Sequence, residues 1–268
     1  MPLSAKLHDQ YRETGLAFPI RVLDKGGAAG YLTAYQETAN VAGYGGKAAQ
    51  IPQVHRFFDW AWELATHSGV LDAVQSVIGP NILLWSASMF PKNPFDPGHV
   101  TMHQDGTYWG LSGGQVTTAW IALTASTIEN GCMRVVPGSH RLEIQPHRDT
   151  YGADNLLTRG QVVQAAYDED EVVDVELRPG QMSLHHVRAI HGSRPNRSAG
   201  SRVGFAARYV TPDARPTLPG QTAALVRGHD GPGHWDRVAG PPRFDSLQSA
   251  IRAHRREAAD FVKALTAG

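Results

Sequence analysis

The stretch Val100-Thr101-Met102-His103-Gln104-Asp105-Gly106-Thr107-Tyr108-Trp109-Gly110 decides how this chain is read. Val100 and Met102 alternate with polar neighbours, the period of a half-buried strand, and the same alternation carries His103 and Asp105 to one face. A strand that ends in His-x-Asp and runs into a Gly-rich aromatic segment is expected where a sheet opens into a pocket. Spacing alone is weak evidence, because 13 histidines and 16 aspartates in 268 residues give roughly 0.8 such pairs by chance. Another such pair, His147-Arg148-Asp149, follows Pro146 in a polar stretch without period. Context therefore selects His103 and Asp105 as the metal-binding pair.

Working outward, the chain changes period near residue 80. The first 80 residues read as a helical lead-in, with a polar helix around His8 to Thr14 and a short apolar strand through Phe18, Ile20 and Val22. From Val54 to Ile78 apolar residues recur at three-to-four spacing, and Gly79-Pro80 stops the run. Ala42-Gly43-Tyr44-Gly45-Gly46-Lys47 reads as a flexible loop. From Asn81 to about residue 211 the period is two. Candidate strands are Ile82 to Phe90, Val100 to Gln104, Val116 to Leu123, Met133 to Val136, Val172 to Leu177, Met182 to His186 and Arg202 to Val210. The stretch from Gly138 to Val162 has no period and is expected over the mouth of the core. A helix is predicted at about 246–265. The expectation is a single domain over residues 1–268, mainly β with flanking helices, its strands forming a sandwich or barrel.

Lys+Arg 25 against Asp+Glu 25 leaves no reservoir of positive potential, which argues against nucleic acid or anionic lipid as partners. No apolar run approaches a membrane span and the start lacks the apolar core of a secretory signal, so the expected location is the cytoplasm. A lone cysteine, Cys132, forms no internal disulfide and is too little for a thiolate cluster.

A third ligand must come from a distant strand, and His185, His186 and His191 are available. His191 is preferred because Arg202 follows eleven residues later. Around Arg202 the chain alternates, with Arg202, Gly204 and Ala206 on one face and Val203, Phe205, Ala207 and Tyr209 on the other. The second face can pack, whereas the first leaves a hollow containing an arginine. A buried guanidinium needs an anion, either an Asp or Glu of the chain or a bound carboxylate held in two bonds. Two histidines and one carboxylate leave three positions of an octahedral ion open, the arrangement of non-haem Fe(II) oxygenases. Two of those positions can take a 2-oxo acid and the third dioxygen, with Arg202 on the far carboxylate.

With these residues assembled, the chain resembles the phytanoyl-CoA hydroxylase (PhyH) superfamily of Fe(II)/2-oxoglutarate dioxygenases. The resemblance rests on His103-Gln104-Asp105, on Ala119-Trp120-Ile121-Ala122-Leu123 through Glu129-Asn130-Gly131-Cys132 to Val136-Pro137-Gly138-Ser139-His140, and on His191-Gly192-Ser193 with Asn196, Ser198 and Arg202. It covers roughly residues 80–211. It implies a double-stranded β-helix (jelly-roll, cupin-like), Fe(II) at His103, Asp105 and His191, and 2-oxoglutarate contacts from Arg202, Ser193 and Trp120. It further implies hydroxylation of a small molecule with release of succinate and CO2. Because Asp105 retains the carboxylate, no position is left for a halide, and oxygenation is expected.

Tyr108 and Trp109 follow the metal pair and are candidates to line the substrate pocket, although aromatics beside a barrel mouth often only pack. Thr107 to Leu111 and Leu184 to Val187 resemble a bacterial branch that includes aminoalkylphosphonate hydroxylases. Arg148, Arg159, Arg188 and Lys47 are the basic groups that could meet such a substrate, and a natural-product intermediate is the other candidate. Competing readings are a non-catalytic barrel that binds a small ligand, a desaturating or cyclising oxygenase, and a zinc hydrolase. The last lacks a second carboxylate or histidine obviously placed as general base.

Overall fold

The computed structural model describes residues 3–43 and 51–266. Of the predicted loop at 42–47, Tyr44 to Lys47 lie outside the described residues.

The lead-in holds helix α1 (Leu3–Thr14), strand β1 (Leu16–Arg21) and helices α2 (Lys25–Val41), α3 (Asp59–Ala65) and α4 (Ser68–Ile78). The single periodic run from Val54 to Ile78 is broken into a 3-10 turn and two helices. The second break falls at His67, whose Nδ1 accepts the Gly69 N–H at 3.2 Å and caps α4. Helix α2 was not foreseen, because Gly26, Gly27 and Gly30 dilute its pattern. Its one sequence signal is Asp24, whose carboxylate caps it by accepting the Gly27 N–H at 2.7 Å.

Two sheets follow, antiparallel except for one parallel pair at the edge of the larger. The larger is built from β1, β2 (Ile82–Met89), β4 (Val116–Ala122), β7 (Gln181–His186), β9 (Gly204–Val210), β10 (Thr222–Arg227) and β11 (Asp236–Arg237), in the order β1-β7-β4-β9-β2-β10-β11. The smaller is β3 (Val100–His103), β8 (His191–Ser193), β5 (Met133–Val135) and β6 (Val173–Val175), in the order β3-β8-β5-β6. Strands β8, β10 and β11 were not anticipated: His191–Ser193 and Asp236–Arg237 are too short to show a period, and the run Ala223-Ala224-Leu225-Val226 in β10 does not alternate. Helix α5 (Leu247–Thr266) ends the chain.

The alternation along β9 sets the layers. Phe205, Ala207 and Tyr209 point away from the smaller sheet into the main core, with Tyr35, Phe57, Leu64 and Val70 of the helical layer. Tyr209 donates its hydroxyl to the Ala65 carbonyl at 2.7 Å, so the only polar atom of that side chain is satisfied in the core. The opposite face looks inward. Ala206 packs with Trp120 and Ala122 of β4 and with Met133, Val135 and Val175 of the smaller sheet. The result is a double-stranded β-helix with helices on the outside of its larger sheet.

The stretch 138–162 contributes a two-residue ribbon, His147–Arg148 against Val162–Val163, and places Leu157 on the cavity between the sheets. Among the described residues no helix is long and apolar enough to cross a membrane.

Gly204 is the tightest point of the inner layer, because a Cβ there would lie 2.0 Å from Trp120 Cζ2. Gly204→Ala is expected to expel the Trp120 ring and cost about 1 to 3 kcal/mol, the usual range for overpacking. A urea melt together with near-ultraviolet circular dichroism checks this. An unchanged midpoint would mean the ring has room the geometry does not show.

Candidate active site

His103 is the last residue of β3, and β8 pairs with it so that His191 stands directly across from His103. The close approach depends on Gly192, where a Cβ would lie 2.6 Å from the Val100 carbonyl oxygen. Asp105 is not on the strand, as the sequence reading had it. It begins a 3-10 turn, Asp105–Thr107, and the extended backbone of Gln104 between them preserves the alternation. Asp105 Oδ1 consequently lies 3.2 Å from His103 Nε2, and Oδ2 lies 3.9 Å from His191 Nε2. One ligand atom from each of the three residues falls within 4.8 Å of the others, and all three side chains are buried.

The backbone dictates which ring nitrogens face inward. His103 Nδ1 donates to the Thr101 carbonyl and His191 Nδ1 to the Ala189 carbonyl, both at 2.9 Å. A neutral ring that donates from Nδ1 carries its lone pair on Nε2. The two lone pairs thus converge on a carboxylate. Burial, reinforced by the neighbouring His103, lowers the His191 pKa to about 3. Burial alone would raise the Asp105 pKa, but the surrounding imidazoles outweigh it and hold the carboxyl well below its ordinary range. Converging lone pairs around an ionised carboxylate suit a cation at their centre. Octahedral ligands about 2.1 Å from an ion sit about 3 Å apart; the His103–Asp105 separation of 3.2 Å is near that and the His191–Asp105 separation of 3.9 Å is wider.

The other end of the cavity is cationic. Arg202 is 2% exposed and precedes β9 by two residues, tied to Lys92 by reciprocal backbone hydrogen bonds of 2.7 and 2.9 Å. Its guanidinium lies 5.3 Å from the Trp120 ring centre. One Nη donates to the Gly131 carbonyl, the turn read from Asn130-Gly131, and the other to the Phe90 carbonyl at 3.3 Å. Its Nε is buried without a hydrogen-bond partner. Ser193, next but one to His191, and Trp120 line the same cavity.

Residues 33–204 match the phytanoyl-CoA dioxygenase (PhyH) family. The chain belongs to this family. A probable phytanoyl-CoA dioxygenase of Caenorhabditis elegans is 32% identical over 161 residues, 57% of this chain and 51% of that protein. A probable alpha-ketoglutarate-dependent hypophosphite dioxygenase of Stutzerimonas stutzeri is 29% identical over 171 residues, 63% of this chain and 59% of that protein. The chain thus spans about half the length of the curated relatives it matches. Among solved structures, the non-heme monooxygenase ThoJ in its apo form superposes with a TM-score of 0.82 at 32% identity, covering 97% of this chain and 96% of that one. The epimerase SnoN, in complex with Fe3+, alpha ketoglutarate and nogalamycin RO, superposes with a TM-score of 0.68 at 23% identity over 91% of this chain and 96% of that one, a likeness of fold.

Not every residue singled out from the sequence of this PhyH-family chain reaches the cavity. Tyr108 lines it, but Trp109 is buried beneath it, packed on Trp85 with ring centres 5.1 Å apart. Arg188 is spent on Glu143 at 2.8 Å, and Arg159 on Asp149 at 3.1 Å. Arg148 is exposed on its ribbon, and none of these three lines the cavity. Arg148 and Arg159 sit in the polar stretch 138–162 and Arg188 on the connection between β7 and β8, where water or a neighbouring carboxylate is the nearer partner. His147 serves the metal loop from behind, its Nε2 accepting the Gln104 N–H at 3.0 Å.

Three inward residues were missed. His185 was weighed only as a metal ligand; it lines the cavity with Nε2 3.7 Å from Asp105 Oδ2. Arg208 also lines the cavity, and continuing the Arg202, Gly204, Ala206 alternation by one step would have found it. Lys92 had no sequence signal. It is fully buried, donates to Ser193 Oγ at 2.8 Å and to the Arg194 carbonyl, and is pushed down to about 6 by burial and by Arg202.

The Lys92 shift has a stability signature. Between its ordinary value of 10.5 and about 6 the unfolded chain binds the proton that the folded chain lacks. This contribution therefore lowers stability as pH falls through that window and levels off below it. Lys92→Met is expected to be more stable than the wild type in the ligand-free state, with the gap widening from about pH 9 to about pH 7. Denaturant melts across that range read it, and a gap independent of pH would contradict the assignment.

Proposed function

We propose that the chain is an Fe(II)- and 2-oxoglutarate-dependent oxygenase that hydroxylates an unactivated C–H bond of a small molecule. The observation that carries the reading is the pairing of two unmet needs in one cavity. At one end the bare donor atoms of His103, Asp105 and His191 converge; at the other the buried Arg202 has an Nε without an acceptor.

In this reading His103, Asp105 and His191 hold the ion on one face. Bound Fe(II) supplies the redox chemistry that activates dioxygen. Arg202 takes the far carboxylate of 2-oxoglutarate, whose charge offsets the buried guanidinium. Lys92, through its bond to Ser193 Oγ, fixes the hydroxyl that would meet the same carboxylate. Trp120 packs on the guanidinium and keeps it from turning away. The reaction balances as substrate C–H, dioxygen and 2-oxoglutarate giving alcohol, succinate and CO2, with one oxygen atom in succinate and one in the product. An aminoalkylphosphonate or a natural-product intermediate is the substrate we favour, and the hypophosphite dioxygenase among the relatives supports a phosphorus oxyanion.

Four substitutions test the site. His103→Ala or Asp105→Ala is expected to abolish iron binding, while His147→Ala retains it, as measured by metal content after anaerobic loading. Full iron occupancy in the His103 variant would sink the assignment. Arg202→Ala is expected to keep iron but weaken 2-oxoglutarate by about 2 to 5 kcal/mol, the typical cost of leaving one member of a buried charge pair behind. An unchanged 2-oxoglutarate requirement for succinate release would remove Arg202 from the site. With a turned-over substrate, mass spectrometry under labelled dioxygen decides the outcome: one labelled oxygen gained supports hydroxylation, and loss of two hydrogens replaces it with desaturation.

A further inference from the structure

The inner face of the larger sheet carries a second polar array that the iron and 2-oxoglutarate reading does not use. Strand register places Arg208 of β9 directly opposite Thr118 of β4, and Thr118 directly opposite His185 of β7. Directly opposed residues of antiparallel strands project their side chains to the same face. All three line the cavity that holds Asp105, and His185 Nε2 is 3.7 Å from the Asp105 carboxylate. They form a row that starts beside the metal position and runs across three strands away from it.

The row is under-satisfied. Thr118 Oγ1 and His185 Nδ1 are buried with no hydrogen-bond partner. Arg208 donates from one Nη to Ser88 Oγ at 2.7 Å and to the Ala206 carbonyl at 3.3 Å. Among the described residues no carboxylate forms an ion pair with it. Its guanidinium is instead braced against the face of Trp109, 5.4 Å from the ring centre. A braced guanidinium that lines the cavity, with protein acceptors for only one of its three nitrogens, leaves an edge that an anionic ligand can complete. The Arg202 end already accounts for the co-substrate's far carboxylate, so this cation answers to a different group.

We propose that Arg208, Thr118 and His185 form the substrate anchor, a row of donors that takes the terminal oxyanion of an anionic small substrate. The inference rests on the oxygenase reading and adds to it the charge of the substrate and where that charge sits. A planar fork with a hydroxyl and an imidazole beside it suits either a carboxylate or a phosphonate. Trp109 acts here as a positioning residue, holding the guanidinium in the plane that presents its free edge to the cavity.

Calorimetry under nitrogen on the protein loaded with Fe(II) and 2-oxoglutarate tests it. The probes are propanoate, methylphosphonate and 2-aminoethylphosphonate, with propan-1-ol and ethanolamine as uncharged-end controls. 2-Oxoglutarate binding is measured first, and if the wild type with iron fails to bind it, the oxygenase reading itself falls. With that binding in place, at least one oxyanion is expected to saturate the wild type while the alcohol controls do not, and propanoate against the phosphonates tells which oxyanion fits. Arg208→Met is expected to weaken that probe at least tenfold, Arg208→Lys to recover part of the loss, and Thr118→Val to weaken it less, each with 2-oxoglutarate affinity within twofold of wild type. The anchor is overturned if no oxyanion binds, if Arg208→Met binds the probe as tightly, or if the alcohols bind equally well. Loss of 2-oxoglutarate affinity in a folded Arg208→Met, checked by its melting transition, overturns it too by giving Arg208 to the co-substrate.

Discussion

The backbone pairing of β3 with β8 is the constraint on which the rest of this structure depends. It sets His191 across from His103, and Gly192 is what lets the two backbones approach closely enough to do so. A one-residue slip of β8 would turn the His191 imidazole to the face opposite His103, because strand side chains alternate with period two. The carbonyls of Thr101 and Ala189 then fix which nitrogen of each ring looks inward. Register and two backbone hydrogen bonds therefore assemble two of the three candidate ligands, and a single 3-10 turn supplies the third.

The same interior tolerates a concentration of charge that a stable core would avoid. Lys92 and Arg202 lie buried side by side, and Arg208 stands further along the inner face without a carboxylate partner. Each is supported in part, by carbonyls, by Ser193 or by the faces of Trp120 and Trp109. Partial satisfaction of this kind costs stability, and an anion bound beside these groups would recover it. The apolar layer that carries this burden is the opposite face of β9, where Phe205, Ala207 and Tyr209 lock the sheet onto the helices.

The polar segment 138–162 shows how a stretch without period can still be structurally specific. His147 was discounted as a ligand, and the structure gives it the role of holding the Gln104 N–H from behind. Gln104 itself, facing away from the cavity, donates to the Arg188 carbonyl at 2.8 Å and accepts from the Gln145 N–H at 2.8 Å. The turn that carries Asp105 is thus clamped on its outer side by the insertion, where Arg159 pairs with Asp149.

The sequence by itself determined the alternation of the strands, the change of period near residue 80, the His-x-Asp pair and the distant His191 with Arg202. All of these are local in sequence or fixed by spacing, and one turn, Asn130-Gly131, was legible for the same reason. Only the tertiary structure decided that Lys92 shares a bridge with Arg202, that Arg208, Thr118 and His185 line up across three strands, and that Trp109 lies under the cavity rather than in it. Those relations are set by strand register between segments up to about a hundred residues apart. Register follows from which faces must be buried together, and no single segment carries that information.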